Sequence, residues 1–261
     1  MGNKQNSQCA RPSINPSSWL RHRWQPEPLR NRVICQMKFS GIQKISLIDY
    51  PNKVASVLFT PGCNLRCGFC HNWRIVTNPQ PPFLQEGAAL ELLEKRKKYV
   101  DAVVVTGGEP CMHKELPKFL AKLKERGFQV KLDTNGFFPN ILEECLASVD
   151  YVALDVKTSL EKYTRLGAKD TAELLRTIEI LKTDKTPYEI RTTLVPDLVT
   201  ADDIVSIGNL VNCAQNVALQ QFMPEDTLDK SFQALRPYTP EMIAEFAQTM
   251  RKYTRNLLLR V

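Results

Sequence analysis

"KVASVLFTPGCNLRCGFCHNW", residues 53–73, joins two kinds of chain. Its first eight residues form a β-branched, apolar run of the sort that makes a buried strand. The remainder is a polar loop holding Cys63, Cys67 and Cys70 at C-x3-C-x2-C spacing, with His71 directly after. Thiolates this close together select zinc, copper(I) or iron–sulfur. Zinc could take three cysteines and His71, but the adjacent side chains of Cys70 and His71 reach two corners of one tetrahedron poorly. Structural zinc sites also pair two separated C-x2-C knuckles, and a second knuckle is missing here. A four-iron cluster takes four cysteines; with three, one iron stays open to an outside ligand. The residues favour that iron–sulfur reading over three incidental core cysteines, because the loop contains Gly and Asn and lacks apolar periodicity.

The pattern of strand followed by helix repeats along the chain. Residues 84–99 space their leucines as a helix does and end in a basic turn that suits the helix dipole. "DAVVVTGGEP" (101–110) predicts a strand entering a Gly-Gly turn, and "LPKFLAKLKERG" (116–127) a helix stopped by Gly127. Strand and helix then alternate through 128–136 and 140–149, 150–158 and 171–183, 188–196 and 201–212, and 216–224 and 241–253. "NLLLRV" (256–261) offers an edge strand. About six βα units in series imply a parallel sheet built through right-handed crossovers. The fold expected is α/β, a partial (β/α)6 barrel with helices on the outer face of the sheet.

In such folds chemistry gathers at the C-terminal ends of the strands. Every unusual polar cluster of this chain falls there. The cysteine loop follows the first strand, and Gly107, Gly108, Glu109 and Pro110 follow the second. Asp133, Thr134 and Asn135 end the third, Asp155 and Lys157 the fourth, Arg191 lies on the fifth, and "QFMPED" follows the sixth. Taken alone, Gly-Gly-Glu-Pro is a tight turn, and Lys157 or Arg191 a strand-flanking salt bridge. Placed beside the cysteine loop they converge on one site. The two glycines leave backbone groups uncovered for a ligand's close approach, and Glu109 offers a negative charge to an ammonium.

The cysteine loop with Phe69, and "GGEP" about 40 residues on, resemble the two leading motifs of the radical S-adenosylmethionine (SAM) superfamily, over essentially all of 37–261. That resemblance implies one [4Fe-4S] cluster on Cys63, Cys67 and Cys70, with its open iron chelated by the amino and carboxylate groups of SAM. One electron then splits SAM into methionine and a hydrogen-abstracting 5′-deoxyadenosyl radical. Phe69 would lie on the adenine side. "CHN" (70–72), "LDTNG" (132–136) and "DYVALDVK" (150–157) further resemble the glycyl-radical-enzyme activases. By that match Asp133, Thr134, Asp155 and the Ala153 carbonyl would surround a monovalent cation, Asn135 would lie in the cofactor site, and Lys157 and Arg191 would touch SAM. The opening from "FSGIQKISLIDYP" and the late "TLDK" resemble activators of the anaerobic ribonucleoside-triphosphate reductase. The partner implied is a glycyl radical enzyme, and the electron source a flavodoxin or ferredoxin. The chain departs from the resemblance in two ways. Met223 stands where some activases have a histidine, and the inserted ferredoxin-like cysteine runs are missing. Cys9, Cys35, Cys111, Cys145 and Cys213 are therefore expected to be structural or incidental, and His113 a helix-start residue.

Composition bounds the alternatives. Of 261 residues 43% are apolar and 24% charged, enough for a sizeable core. No apolar run nears the roughly 20 residues of a membrane span, and no secretory signal is visible, so a cytoplasmic address and reduced cysteines are expected. The net charge of +7 is concentrated in residues 1–36, which carry +5 and leave +2 for residues 37–261. That distribution argues against a nucleic-acid face. Residues 1–36 are Pro-rich and basic without apolar periodicity and read as a disordered leader, either an extension before a working start at Met37 or a transit peptide. Residues 37–261 read as a single domain. Two other functions fit less of the chain: a radical SAM enzyme acting on a small molecule, such as a deazapurine synthase, and a metal-binding module with a basic nucleic-acid-binding tail.

Overall fold

The computed structural model describes residues 36–183 and 186–261. The expected leader therefore lies outside the described residues, apart from Gln36. In chain order the strands are β1 (Lys38–Phe39), β2 (Gly41–Ser46), β3 (Ala55–Thr60), β4 (Leu84–Gln85) and β5 (Ala102–Gly107). They continue with β6 (Gln129–Thr134), β7 (Tyr151–Asp155), β8 (Tyr188–Leu194), β9 (Ala214–Gln221) and β10 (Thr254–Arg260). The helices are α1 (Trp73–Thr77), α2 (Glu86–Arg96), α3 (Leu116–Glu125), α4 (Pro139–Leu146), α5 (Ala172–Thr183), α6 (Ala201–Leu210) and α7 (Pro240–Met250).

β1 and β4 pair as a small antiparallel patch; the other eight strands form one sheet in the order β10-β9-β8-β7-β6-β5-β3-β2. Pairing is parallel from β3 through β10, and β2 adds an antiparallel edge. The six central parallel strands are those the sequence predicts, and the expected edge strand near 256–261 is β10. β2 escaped the reading because GIQKIS, on an edge, has mostly exposed or half-buried positions and no apolar alternation.

The apolar strands serve two cores. Alternate residues such as Val103, Val105, Val130, Leu132, Val152 and Leu154 pack outward with the helices in the main cluster. Ala55, Val57, Ala102 and Val104 face the other way into a small inner cluster with Tyr50, Phe59 and Tyr151. Small residues on the inner face of β3 and β5 give way to charged ones on β6, β7 and β8, where Lys131, Asp133 and Glu189 are buried. This division follows the two-residue period of a strand.

The site is positioned by a backbone contact. Parallel register sets Thr60 of β3 opposite Gly107 of β5. Gly108 N–H then donates to the Thr60 carbonyl, and Glu109 N–H to the Gly62 carbonyl, both at 2.9 Å. Gly107 has φ +112°, and a Cβ there would stand 2.5 Å from the Thr60 nitrogen. A Cβ on Gly108 would stand 1.7 Å from the Gly62 oxygen. Neither neighbour is a side chain that could move aside. Gly108→Ala is therefore expected to lower stability in denaturant titration by about 3 kcal/mol. Gly87→Ala, on α2 with open space around it, should be neutral or stabilising by about 0.5–1 kcal/mol.

Candidate active site

Cys67 is buried, with Cys63 and Cys70 half-buried beside it. Burial raises all three thiols, Cys67 to about 12, while the nearby Lys157 ammonium pulls each of them back. Leu65 N–H donates to Cys63 Sγ at 3.4 Å and Asn135 Nδ2 to the same sulfur at 3.5 Å. Amide donors at sulfur and a close cation both favour thiolates, which a coordinated metal deprotonates outright. Among the described residues no three His, Cys, Asp or Glu side chains converge to hold a single metal ion. His71 does not converge with the thiols on one ion either; its Nε2 donates to the Met223 carbonyl at 2.9 Å. A four-iron cluster, whose ligands attach to separate corner irons, fits this spread of three thiols better than one ion does.

The residues around the cysteines brace them. Asn72 Nδ2 donates to the Gly107 carbonyl at 2.9 Å, tying the loop to the glycine turn. His113, expected to start a helix, instead follows a 3-10 turn and donates from Nε2 to the Pro61 carbonyl at 3.0 Å. Asn135 Nδ2 also donates to Asn64 Oδ1 at 2.7 Å. Asp229 N–H donates to the Gly68 carbonyl, so "TLDK" lies against the cysteine loop. Phe69 packs on Phe232 at 6.2 Å between ring centroids and belongs to the main core.

Glu109 faces inward at the turn after β5. Its side chain is buried and accepts from Cys111 N–H (2.9 Å), Thr134 Oγ1 (2.7 Å) and Asn135 N–H (2.7 Å). The carboxylate is a strut between the ends of β5 and β6, with its acceptor capacity turned inward to these donors. Burial lifts its pKa to about 7 against the pull of those three donors.

Asp133, Asp155, Lys157 and Arg191 do come together, on the inner face. Arg191 donates from Nε to Asp155 at 2.7 Å and from an Nη to Asp133 at 3.0 Å. Lys157 reaches Asp155 at 3.1 Å, and the buried Lys131 reaches Asp133 at 2.6 Å. Below them Arg260 clasps Glu189 at 2.6 Å, joining β10 to β8. Against the upward pull of burial, Arg191 holds both aspartates below the usual carboxylate range, helped by Lys131 at Asp133 and Lys157 at Asp155. At Asp133 and Asp155, where the sequence expects a monovalent cation with Thr134 and the Ala153 carbonyl, the structure sets protein cations. Arg191 and the two lysines already neutralise the carboxylates, and Thr134 turns to Glu109. Sequence reading missed Lys131, Glu189 and Arg260; the signal was available as charges two residues apart, Lys131 with Asp133 and Glu189 with Arg191. Cys111 and Cys145 are buried and Cys213 exposed, all free. Cys9 and Cys35 lie outside the described residues.

Removing Arg191 leaves the buried Asp133 and the half-buried Asp155 short of charge. Arg191→Met should cost about 3–5 kcal/mol in denaturant titration, whereas Arg176→Met, which breaks an exposed pair with Glu143, should cost under about 1 kcal/mol. Linkage gives Glu109 a distinct pH signature. Its folded pKa lies above the unfolded value, so its ionisation costs the folded state stability as pH rises from about 4.5 to about 7. Above that range the cost is constant. Glu109→Gln should remove this part of the pH slope, as read from unfolding midpoints across pH 4–8.

Comparison with known proteins agrees with this geometry. Residues 57–209 match the family model described as the Radical SAM superfamily. A Methanocaldococcus jannaschii protein, provisionally named a glycyl-radical enzyme activating enzyme, is 34% identical over 232 residues, spanning 85% of this chain and 95% of its own. The pyruvate formate-lyase-activating enzyme of Staphylococcus aureus is 32% identical over 201 residues, 70% of this chain and 79% of that enzyme. Among solved structures, TYW1 with a lysine-pyruvate adduct bound aligns with TM-score 0.59 and 18% identity, over 77% of this chain and 74% of that one. Streptococcus suis SuiB bound to S-adenosylmethionine aligns with TM-score 0.59 and 14% identity, over 78% and 52%. These two likenesses concern the fold alone. The cysteine loop, the parallel sheet beneath it and the match across more than half its length make this chain a member of the radical SAM superfamily.

Proposed function

We propose that the chain is an activating enzyme that generates a glycyl radical on a partner protein, the partner being an anaerobic ribonucleoside-triphosphate reductase. The observation that carries this reading is the placement of three thiols, with no fourth beside them among the described residues, above an inner face of paired charge. That face holds four cations, Lys131, Lys157, Arg191 and Arg260, against three carboxylates, Asp133, Asp155 and Glu189. The surplus positive charge suits an anionic group such as the methionyl carboxylate of SAM. The relative from M. jannaschii, matched over nearly its whole length, supports the activase branch.

The residues fit the cofactors of the family: Cys63, Cys67 and Cys70 would hold a [4Fe-4S] cluster, which together with SAM supplies the one-electron cleavage that yields a hydrogen-abstracting radical. The chain's own part is positioning. Lys157, just past the end of β7, close enough for its charge to act on the thiols and paired to Asp155, offers its ammonium to the SAM carboxylate. Arg191 holds Asp155 and Asp133 in place beneath it. Gly107 and Gly108 let the turn close against the cysteine loop backbone to backbone, and Glu109 braces that turn. In the reducing cytoplasm expected from the sequence, a flavodoxin or ferredoxin would supply the electron.

Two substitutions test the site. Cys67→Ser should lose most bound iron after anaerobic reconstitution and with it SAM cleavage. Lys157→Met should keep its iron but weaken SAM binding roughly tenfold or more, the worth of one charge-assisted hydrogen bond. The function is tested by supplying reconstituted, reduced protein with SAM and a candidate reductase. The expected products are 5′-deoxyadenosine and a glycyl radical signal on the reductase. SAM cleavage that needs only a metabolite, with no radical on any glycyl radical enzyme, would sink the activase reading and favour a small-molecule substrate.

A further inference from the structure

A cleft of about 320 Å³ lies outside the cysteine loop, walled by Arg66, Gly68, Arg165, Leu166, Leu198, Leu228, Asp229 and Phe232. Arg66 and Gly68 flank Cys67 in the chain, so the wall of the cleft is the backbone that carries the most buried thiol. Both arginines are exposed, and neither has a carboxylate partner among the described residues. Arg66 donates to the carbonyls of Cys63 and Leu65, at 2.6 and 2.8 Å. Arg165 donates to the Asp197 carbonyl at 3.1 Å. The acid in the cleft, Asp229, accepts from Ser231 N–H at 2.8 Å. Two full positive charges are thus held at fixed places by neutral partners, over a floor in which Leu166 and Leu198 are buried.

Two arginines with no ion-pair partner among the described residues, set against the one carboxylate of Asp229, leave a net positive rim around a small apolar floor, which suits a brief encounter with an acidic surface, the size class of electron-transfer contacts. The inner face serves the opposite need, since its charges are paired and are buried or half-buried. We propose that this cleft is the docking face for a small acidic one-electron carrier protein, placing the carrier's centre against the Cys67 loop. One electron leaves the carrier and enters the protein, and no atom or proton is transferred. The inference rests on the iron–sulfur reading above and adds to it the route of reduction.

The test is binding, measured by calorimetry between the reconstituted protein and an oxidised flavodoxin at low and high salt. Arg165→Glu and Arg66→Gln, the latter keeping hydrogen-bond donors for the loop carbonyls, should each weaken binding roughly fivefold at low ionic strength. The difference should vanish at about 0.5 M salt, where screening is short-ranged. A Lys95→Glu/Lys98→Glu variant, altered on the basic run at the end of α2, should bind like wild type. Stopped-flow reduction by flavodoxin hydroquinone should slow in the arginine variants, while reduction by dithionite should not. Unchanged affinity in both arginine variants, or an equal loss in the lysine variant, would overturn the proposal. A protein that dithionite reduces but that leaves SAM intact would instead count against the function proposed above, and the binding data would still judge the cleft.

Discussion

No side chain fits between Gly62 and Gly108, and the site depends on that fact. A β-carbon at Gly108 would collide with the Gly62 carbonyl, so the cysteine loop and the turn after β5 touch backbone to backbone. From that contact the rest follows in sequence. Glu109 is carried inward to the donors of Thr134 and Asn135. Asn135 reaches back to the Cys63 sulfur and to Asn64. Three strand ends, separated by about 70 residues of chain, are thereby locked around one thiol loop by a closed ring of hydrogen bonds. The ring explains why Glu109 is a strut: a carboxylate committed to three donors has little left for a ligand.

Beneath the loop lies the second constraint. Buried charge is tolerable only when paired and hydrogen-bonded. The inner face meets that condition with Arg191 bridging two aspartates, and with a lysine flanking each of them. Such a network gives little net stability, but it holds Lys157 in one position above a low-dielectric interior. Positive charge placed there in advance costs nothing further when an anion arrives, and the proposed site for SAM's carboxylate rests on this preorganisation. The outer cleft at Arg66 and Arg165 has the same sign without the pairing, which separates a place for holding a ligand from a place for a passing partner.

Much of this was legible in the chain. Continuous apolar strands separated by amphipathic helices announced the parallel sheet, and the rule that chemistry sits at strand C-termini gathered Cys63, Gly107, Asp133, Asp155 and Arg191 before any coordinates. What could not be read was which neighbour each polar group would choose. Asp133 and Asp155 called for positive charge, and a bound cation was one answer; the fold also supplies Arg191, which register sets opposite Asp155, and Lys131, two residues from Asp133 on the same strand face. Glu109 and His71 have short side chains aimed by turns whose geometry emerges only on packing. β2 and the clasp between Arg260 and Glu189 depend on edge pairing across distant segments, which local periodicity does not encode.

The central claim is that three cysteines hold a four-iron cluster whose remaining corner is open to SAM. Electron paramagnetic resonance of the anaerobically reconstituted, reduced protein, recorded before and after adding SAM, tests it most directly. The account predicts the signal of one reduced four-iron cluster whose shape changes when SAM binds. A protein that carries no such signal, or a signal that SAM leaves unaltered while SAM is shown to be bound, would contradict it.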